Sequence, residues 1–237
     1  MTSLVTIADA LAADLEGLSF SAPVSHVYNP LLYAREPHAA YLARFGSAPK
    51  EALFVGMNPG PWGMAQTGIP FGEIGVVTEW LGIDGAVARP ADEHPKKRVD
   101  GFACRRSEVS GRRLWGLIRE RFGTPERFFA RFFVANYCPL LFLTADGGNI
   151  TPDKLRRGEQ EPLFAACDRA LRQTVELLEP RLVIGVGGFA EERCREALSG
   201  LDVEVRRIIH PSPASPAANR DWAGTALRQL HGFGIEF

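Results

Sequence analysis

Three polar residues each close a short apolar run: Asn58 follows EALFVGM (51–57), Asn136 lies in RFFVANY (131–137), and His210 ends VEVRRIIH (203–210). An amide can hold a water or read a hydrogen-bonding edge, and an imidazole can donate to charge that develops on a leaving group. Asn58 precedes a rigid Pro-Gly-Pro turn, where an asparagine can equally satisfy its own local backbone. Each residue is ambiguous alone. Three such residues at strand ends point to one cleft, because ligands of open α/β sheets bind at the carboxyl edge. Trp62 and Phe71 flank MAQTGIP, which its Gly and Pro mark as a loop outside the core. Either ring can stack on a planar ligand or cap the core beneath.

The elements that must position these residues are legible as alternating patterns. Apolar runs end at Met57, Tyr137, Gly187 and His210, and helical stretches are expected at 107–121, 160–178, 189–198 and 218–230. Strands separated by helices at this spacing predict a three-layer α/β/α sandwich around a mainly parallel four-stranded sheet. A helix over 7–18 and another after Pro37 form an N-terminal helical segment, about 1–46, packed on a single domain spanning 1–237. Residues 82–104 mix Gly, Pro and charge, and read as an irregular excursion. Neither NPGPWG nor GVGG has the spacing of a dinucleotide or P-loop phosphate site.

The chain has 237 residues, 46% hydrophobic and 23% charged, with a net charge of -1. That excludes wholesale disorder and a uniformly cationic coat. Between Arg89 and Arg131, however, twelve Lys and Arg face six acids, a local excess that suits phosphates or an ordinary solvated face. No apolar run approaches the roughly 20 residues of a membrane span, and no secretory pattern opens the chain. Cys104, Cys138, Cys167 and Cys194 lack the close pairing of a zinc or iron–sulfur site and read as buried thiols, so no metal or cofactor is expected. The Ala- and Arg-rich composition with four lysines suggests bacterial cytoplasm, or the nucleus if the source is eukaryotic.

GMNPGPWGMAQTGIPFGE (56–73), NYCPLLF (136–142) and HPSPASPAAN (210–219) resemble the three signature segments of the single-strand-selective monofunctional uracil-DNA glycosylases, within the uracil-DNA glycosylase superfamily. The resemblance covers the chain from about Pro23 to the last helix. It implies a monomeric DNA-repair enzyme that flips uracil, and in parts of the superfamily hypoxanthine, xanthine or 5-hydroxymethyluracil, out of DNA and hydrolyses its N-glycosidic bond. It implies that Asn58 holds the attacking water and His210 stabilises the departing base. Phe71 would stack on the flipped ring and Asn136 would read its edge, with Met57, Gly60 and Met64 lining the base pocket. The loop Pro211, Ser212, Pro213, Ala214, Ser215, Pro216 through Asn219, with Arg220 beyond it, resembles the wedge that enters DNA.

Two positions depart from the family pattern. Trp62 stands where Phe is as readily expected, a change that would tighten the pocket mouth. Ala214 stands where animal members carry arginine, leaving Ser215, Pro216 or Arg220 to compensate. None of the four lysines falls in a signature segment, which argues against a Schiff-base lyase step. Two other readings compete: a damaged-DNA-binding module without turnover, and an α/β hydrolase of free nucleosides. The basic excursion and proline-rich loop favour a polymer substrate.

Overall fold

In the computed structural model, which describes residues 2–237, the chain opens with α1 (Leu4–Glu16), β1 (His26–Tyr28), α2 (Pro30–Tyr33), α3 (Arg35–Phe45) and β2 (Ala52–Gly56). Then come α4 (Met64–Thr67), α5 (Val109–Phe122), α6 (Pro125–Phe129), β3 (Phe132–Asn136), β4 (Leu141–Leu143) and β5 (Asn149–Ile150). The chain closes with α7 (Arg157–Leu178), β6 (Leu182–Val186), α8 (Gly188–Ala197), β7 (Glu204–Ile208) and α9 (Pro216–Gly232).

The central sheet has the order β3-β2-β6-β7 with every pairing parallel. All five residues of β2 and of β6 are buried, because helices cover both faces of a parallel sheet. β7 lies at the edge and turns Arg206 and Arg207 outward, so charge protects an edge that would otherwise offer unpaired backbone. α1, α7 and α8 pack together, as do α5, α6 and α9, supplying the helical layers of the sandwich. One apolar cluster runs from Leu4 to Phe237 and includes Phe54, Trp115, Phe128 and Phe132. The tight aromatic packing anchors the sheet on the α5–α6 side.

Helix starts follow capping chemistry rather than apolar period. Ser3 Oγ accepts the Thr6 N–H while Thr6 Oγ1 accepts the Ser3 N–H, so α1 begins three residues ahead of the apolar pattern. Ser215 caps α9 and Pro216 occupies its first turn, two residues before the expected start. The 82–104 stretch is irregular as expected, ending in a 3-10 turn over Gly101–Ala103.

Two features differ from the sequence-based expectations. A second, antiparallel sheet of order β1-β4-β5 stands beside the main one. Its strands have two or three residues each, too few for any period to register. MAQTGIP is not an outer loop but buried throughout. Gln66 makes this possible: its Nε2 donates to the carbonyls of Pro61 and Arg98 and its Oε1 accepts from the Asp100 N–H. A buried amide with its groups matched avoids the penalty that isolated burial would impose.

Candidate active site

Because β2, β3 and β7 run in one direction, their carboxyl ends share one edge of the sheet. Gly56 pairs with Asn136, and the backbone N–H groups of Tyr137 and Cys138 donate to the carbonyls of Gly56 and Met57. The GMNPG and NYCPL segments are thereby zipped together. A cavity of about 490 Å³ opens there, lined by Met57, Asn58, Gly60, Phe71, Asn136 and His210. Its size is that of a small-molecule pocket.

Asn58 is oriented by its neighbour. Its Nδ2 donates to the Leu140 carbonyl at 3.1 Å, leaving Oδ1 as an acceptor. Asn136 Nδ2 donates to Met64 Sδ at 3.2 Å. Met64 is absent from the cavity lining. It is buried behind Asn136 and supports its amide.

Phe71 has a left-handed backbone, φ 54°, which is costly for a bulky side chain and is held by its surroundings. Trp115 Nε1 donates to the Pro70 carbonyl at 3.3 Å, and Thr67 Oγ1 donates to the Gly72 carbonyl at 3.1 Å. The Phe71 ring lies against Gly56, where a Cβ would come within 2.6 Å of it and 2.4 Å of Asn136 Oδ1. Glycine at 56 lets the ring and the amide stand side by side. The Phe71 and His210 ring centroids are 6.2 Å apart.

His210 extends from a strand end whose backbone is secured on several sides. Gly187 N–H donates to the Ile208 carbonyl, Trp222 Nε1 donates to the Ile209 carbonyl, and Ile209 N–H donates to Gln229 Oε1. A Cβ on Gly187, whose φ is +97°, would approach His210 Cβ at 3.2 Å. Burial pushes the His210 imidazole down from 6.5 to about 4, so the ring is neutral near pH 7. Its Nδ1 accepts the Ser212 N–H at 3.0 Å, so the single proton resides on Nε2. The site therefore holds a neutral imidazole that donates from Nε2.

The proline-rich segment divides in two. Pro213 and Ala214 form an exposed turn, and Ser212, Ala214 and Ser215 line the cavity. Pro216, Asn219 and Arg220 belong to α9 rather than to a loop. Asn219 is a brace: its Nδ2 donates to the Pro213 carbonyl at 2.7 Å and its Oδ1 accepts from Arg113, which also donates to the Pro211 carbonyl. Arg220 lines a separate groove with Glu120 and Trp222 and does not fill the place beside Ala214. Trp62 lies outside the cavity lining and instead carries Lys97 and Arg106 on its ring.

Glu108 was not singled out by sequence reasoning. It lines the cavity, its Oε2 is buried without a hydrogen-bond partner, and burial with nearby Glu73 pushes its carboxyl up to about 7. Cβ atoms on Gly60 and Gly63 would collide with it, at 2.9 Å from Oε1 and 1.3 Å from Oε2. Its signal was a lone acid opening a helix inside a basic stretch. Ser110, Asn149 and Thr151 also line the cavity; Asn149 arrives on β5 of the short sheet that sequence reading did not register, and Thr151 directly follows that strand.

Lys50, whose amine is pushed down by burial, precedes β2 and so lies at the sheet edge opposite the cavity. No lysine lines the cavity among the described residues. All four cysteines are buried free thiols.

The family model described as the uracil DNA glycosylase superfamily matches residues 43–230. The single-strand selective monofunctional uracil-DNA glycosylase of Rattus norvegicus is 52% identical over 95% of this chain and 82% of its own length. The Bos taurus protein of that name is 51% identical over 94% of this chain and 82% of its own length. A crystal structure of Pedobacter heparinus SMUG2 superposes with a TM-score of 0.70 over 99% of this chain and 98% of that one, at 17% identity, a likeness of fold. With the signature segments joined at one sheet edge and the family model spanning most of the sequence, the chain belongs to the uracil-DNA glycosylase superfamily.

Proposed function

We propose that the protein is a monofunctional DNA glycosylase that flips uracil into the cavity and hydrolyses its N-glycosidic bond, leaving an abasic site. The observation that carries this reading is the pairing of Asn58, with Oδ1 left as an acceptor, and neutral His210, with Nε2 as a donor, in one cleft. N-glycosidic cleavage builds positive charge on the sugar and negative charge on the pyrimidine. Asn58 Oδ1 accepts from a water and holds it for attack, which requires position more than basicity when the leaving group departs early. His210 Nε2–H donates to O2 of the departing base, an interaction that strengthens as charge develops. A neutral donor has a further advantage here, since it enters the pocket without the desolvation cost of a cation.

Phe71 supplies a stacking face and Asn136 reads the ring edge. With Nδ2 turned toward the thioether, a weak acceptor, the second amide proton remains for O4, and Oδ1 accepts from N3–H. Cytosine reverses both contacts, at about 1–3 kcal/mol for each unmet buried group. The absence of a lysine from the cavity lining supports hydrolysis without a lyase step. We read the chain as one unit acting on DNA, in a nucleoid or nucleus, because a single apolar cluster joins its first and last helices. No helix is long and apolar enough to cross a membrane among the described residues.

The test is incubation with uracil-containing single- and double-stranded oligonucleotides, with and without alkali. Breakage that appears only after alkali is the expected result. Asn58→Ala should lower the single-turnover rate by about 10²-fold or more. Binding without uracil release by the unaltered protein would favour a non-catalytic module. Release from free deoxyuridine but not from DNA would favour a nucleoside hydrolase.

A further inference from the structure

Beside the base cavity lies a second groove, lined in part by Trp62, Lys96, Arg98, Asp100, Arg105 and Arg106. Trp62 stands two residues beyond Gly60, and Arg106 two residues before Glu108; Gly60 and Glu108 both line the cavity. The groove thus begins where that wall of the cavity ends. Lys97 Nζ is 5.0 Å and the Arg106 guanidinium carbon 4.6 Å from the Trp62 ring centroid. A ring face attracts and orders a cation without cancelling its charge, whereas a carboxylate in the same place would cancel it.

No carboxylate pairs with the two ring-held cations, Lys97 and Arg106, among the described residues. Asp92 and Glu93 lie against His26 and Arg89. Among the described residues, Lys97, Arg98, Arg105 and Arg106 have no ion-pair partner, whereas Lys96 Nζ donates to the Asp146 carbonyl at 3.3 Å near that residue's carboxylate, and Asp100 is the one carboxylate in the lining. The contrast with Arg113 is direct, since its guanidinium is engaged by the Pro211 carbonyl and Asn219 Oδ1. Dense arginine on an ordinary surface is usually interspersed with acids. Ordered, uncancelled positive charge suits a polyanionic backbone.

We infer that this groove is a phosphodiester subsite that holds the DNA strand immediately beside the extruded nucleotide, with Lys97 and Arg106 as adjacent phosphate contacts ordered on the Trp62 ring. The inference rests on the reading of the neighbouring cavity as a base pocket. Ring-held cations lose less side-chain freedom on binding than free ones, so Trp62 acts through them as a positioning residue. The occupant is the strand that carries the target base, because the groove continues from the cavity wall itself.

The test compares the unaltered protein with a Lys97→Gln/Arg106→Gln double variant, Trp62→Ala and Trp62→Phe. Affinity for single-stranded uracil-containing and uracil-free oligonucleotides is measured between 50 and 200 mM salt. The double variant should show a log K against log salt slope shallower by about 1.4, at roughly 0.7 per single-strand phosphate contact. Trp62→Ala should lose part of that slope and Trp62→Phe should keep it. Replacing single phosphates by neutral methylphosphonates should weaken binding of the unaltered protein at one or two adjacent positions on one side of the uracil. The double variant should be indifferent at those positions. An unchanged slope, or a methylphosphonate effect that persists in the double variant, overturns the subsite. Uracil release by the unaltered protein separates the two failures. No release sinks the base-pocket reading, whereas release alongside an unchanged slope in the variant sinks this inference alone.

Discussion

His210 Nδ1 accepts the backbone N–H of Ser212 at 3.0 Å, and this contact ties the proton of the imidazole to the conformation of the proline-rich turn. The imidazole is held at about 4 by burial, against 6.5 when exposed. For a base with a depressed value, the folded state binds fewer protons than the unfolded chain between those limits. Its contribution to stability is complete above 6.5 and is lost as pH falls toward 4. The His210 ring signal in NMR should titrate near 4, and glycosylase activity should show no acid limb at 6.5 from this residue. A midpoint at 6.5 would contradict the neutral-donor assignment. His210→Ala should lower the rate by roughly 10²–10³-fold, the usual loss for one donor to developing charge.

Glu108 should pull in the opposite direction. Its carboxyl is raised from 4.5 to about 7, so the folded state binds more protons than the unfolded chain in that window. Stability from this group is greatest below 4.5, declines as pH rises through 7, and then levels off. Glu108→Gln should flatten that decline and raise stability at pH 8 by on the order of 2 kcal/mol. Urea unfolding of both proteins at pH 5 and pH 8 measures it. A gain that is equal at both pH values would show that ionisation is not the cause.

Two glycines of α5 make a matched pair. A Cβ on Gly111 would stand 2.1 Å from the Phe71 carbonyl oxygen, whereas one on Gly116 meets nothing within 4 Å. Gly111→Ala should cost about 1–3 kcal/mol and shift Phe71, lowering activity as well as stability. Gly116→Ala should stabilise by about 0.5–1 kcal/mol through helix propensity, with activity retained. Similar melting temperatures for the two variants would remove the argument for close approach.

Ala214 lies exposed at the cavity rim, and its backbone N–H donates to Ser212 Oγ at 3.1 Å. Its side chain is too short to refill a base stack after extrusion, which costs a few kcal/mol in paired DNA. The protein should therefore act faster on single strands and U·G mismatches than on U·A pairs. Ala214→Arg should raise duplex affinity and slow release of the abasic product. Equal kcat/KM on all three substrates, unaltered by the substitution, would assign the wedging to the prolines and the turn.

Local chemistry by itself determined much of this protein. Apolar runs before Asn58 and Gly187 marked β2 and β6, since parallel strands covered on both faces must be continuously apolar, whereas β7, at the edge, keeps Glu204, Arg206 and Arg207 exposed around buried Val205 and Ile208. The starts of α1 and α9 are set by caps at Ser3 and Ser215, three and two residues ahead of where the apolar period placed them. The tertiary structure alone decided what depends on partners distant in the chain. Gln66 turns a Gly- and Pro-rich stretch into core because it finds the carbonyls of Pro61 and Arg98. Met64 withdraws from the cavity to support Asn136, 72 residues away. Glu108 becomes an unpartnered buried carboxyl where Gly60 and Gly63 press against it. Trp62 leaves the pocket mouth for the side chains of Lys97 and Arg106. Pattern and capping are local properties and can be read in order along the chain. Burial, proton affinity and hydrogen-bond partnership depend on which surfaces meet, and only folding brings those surfaces together.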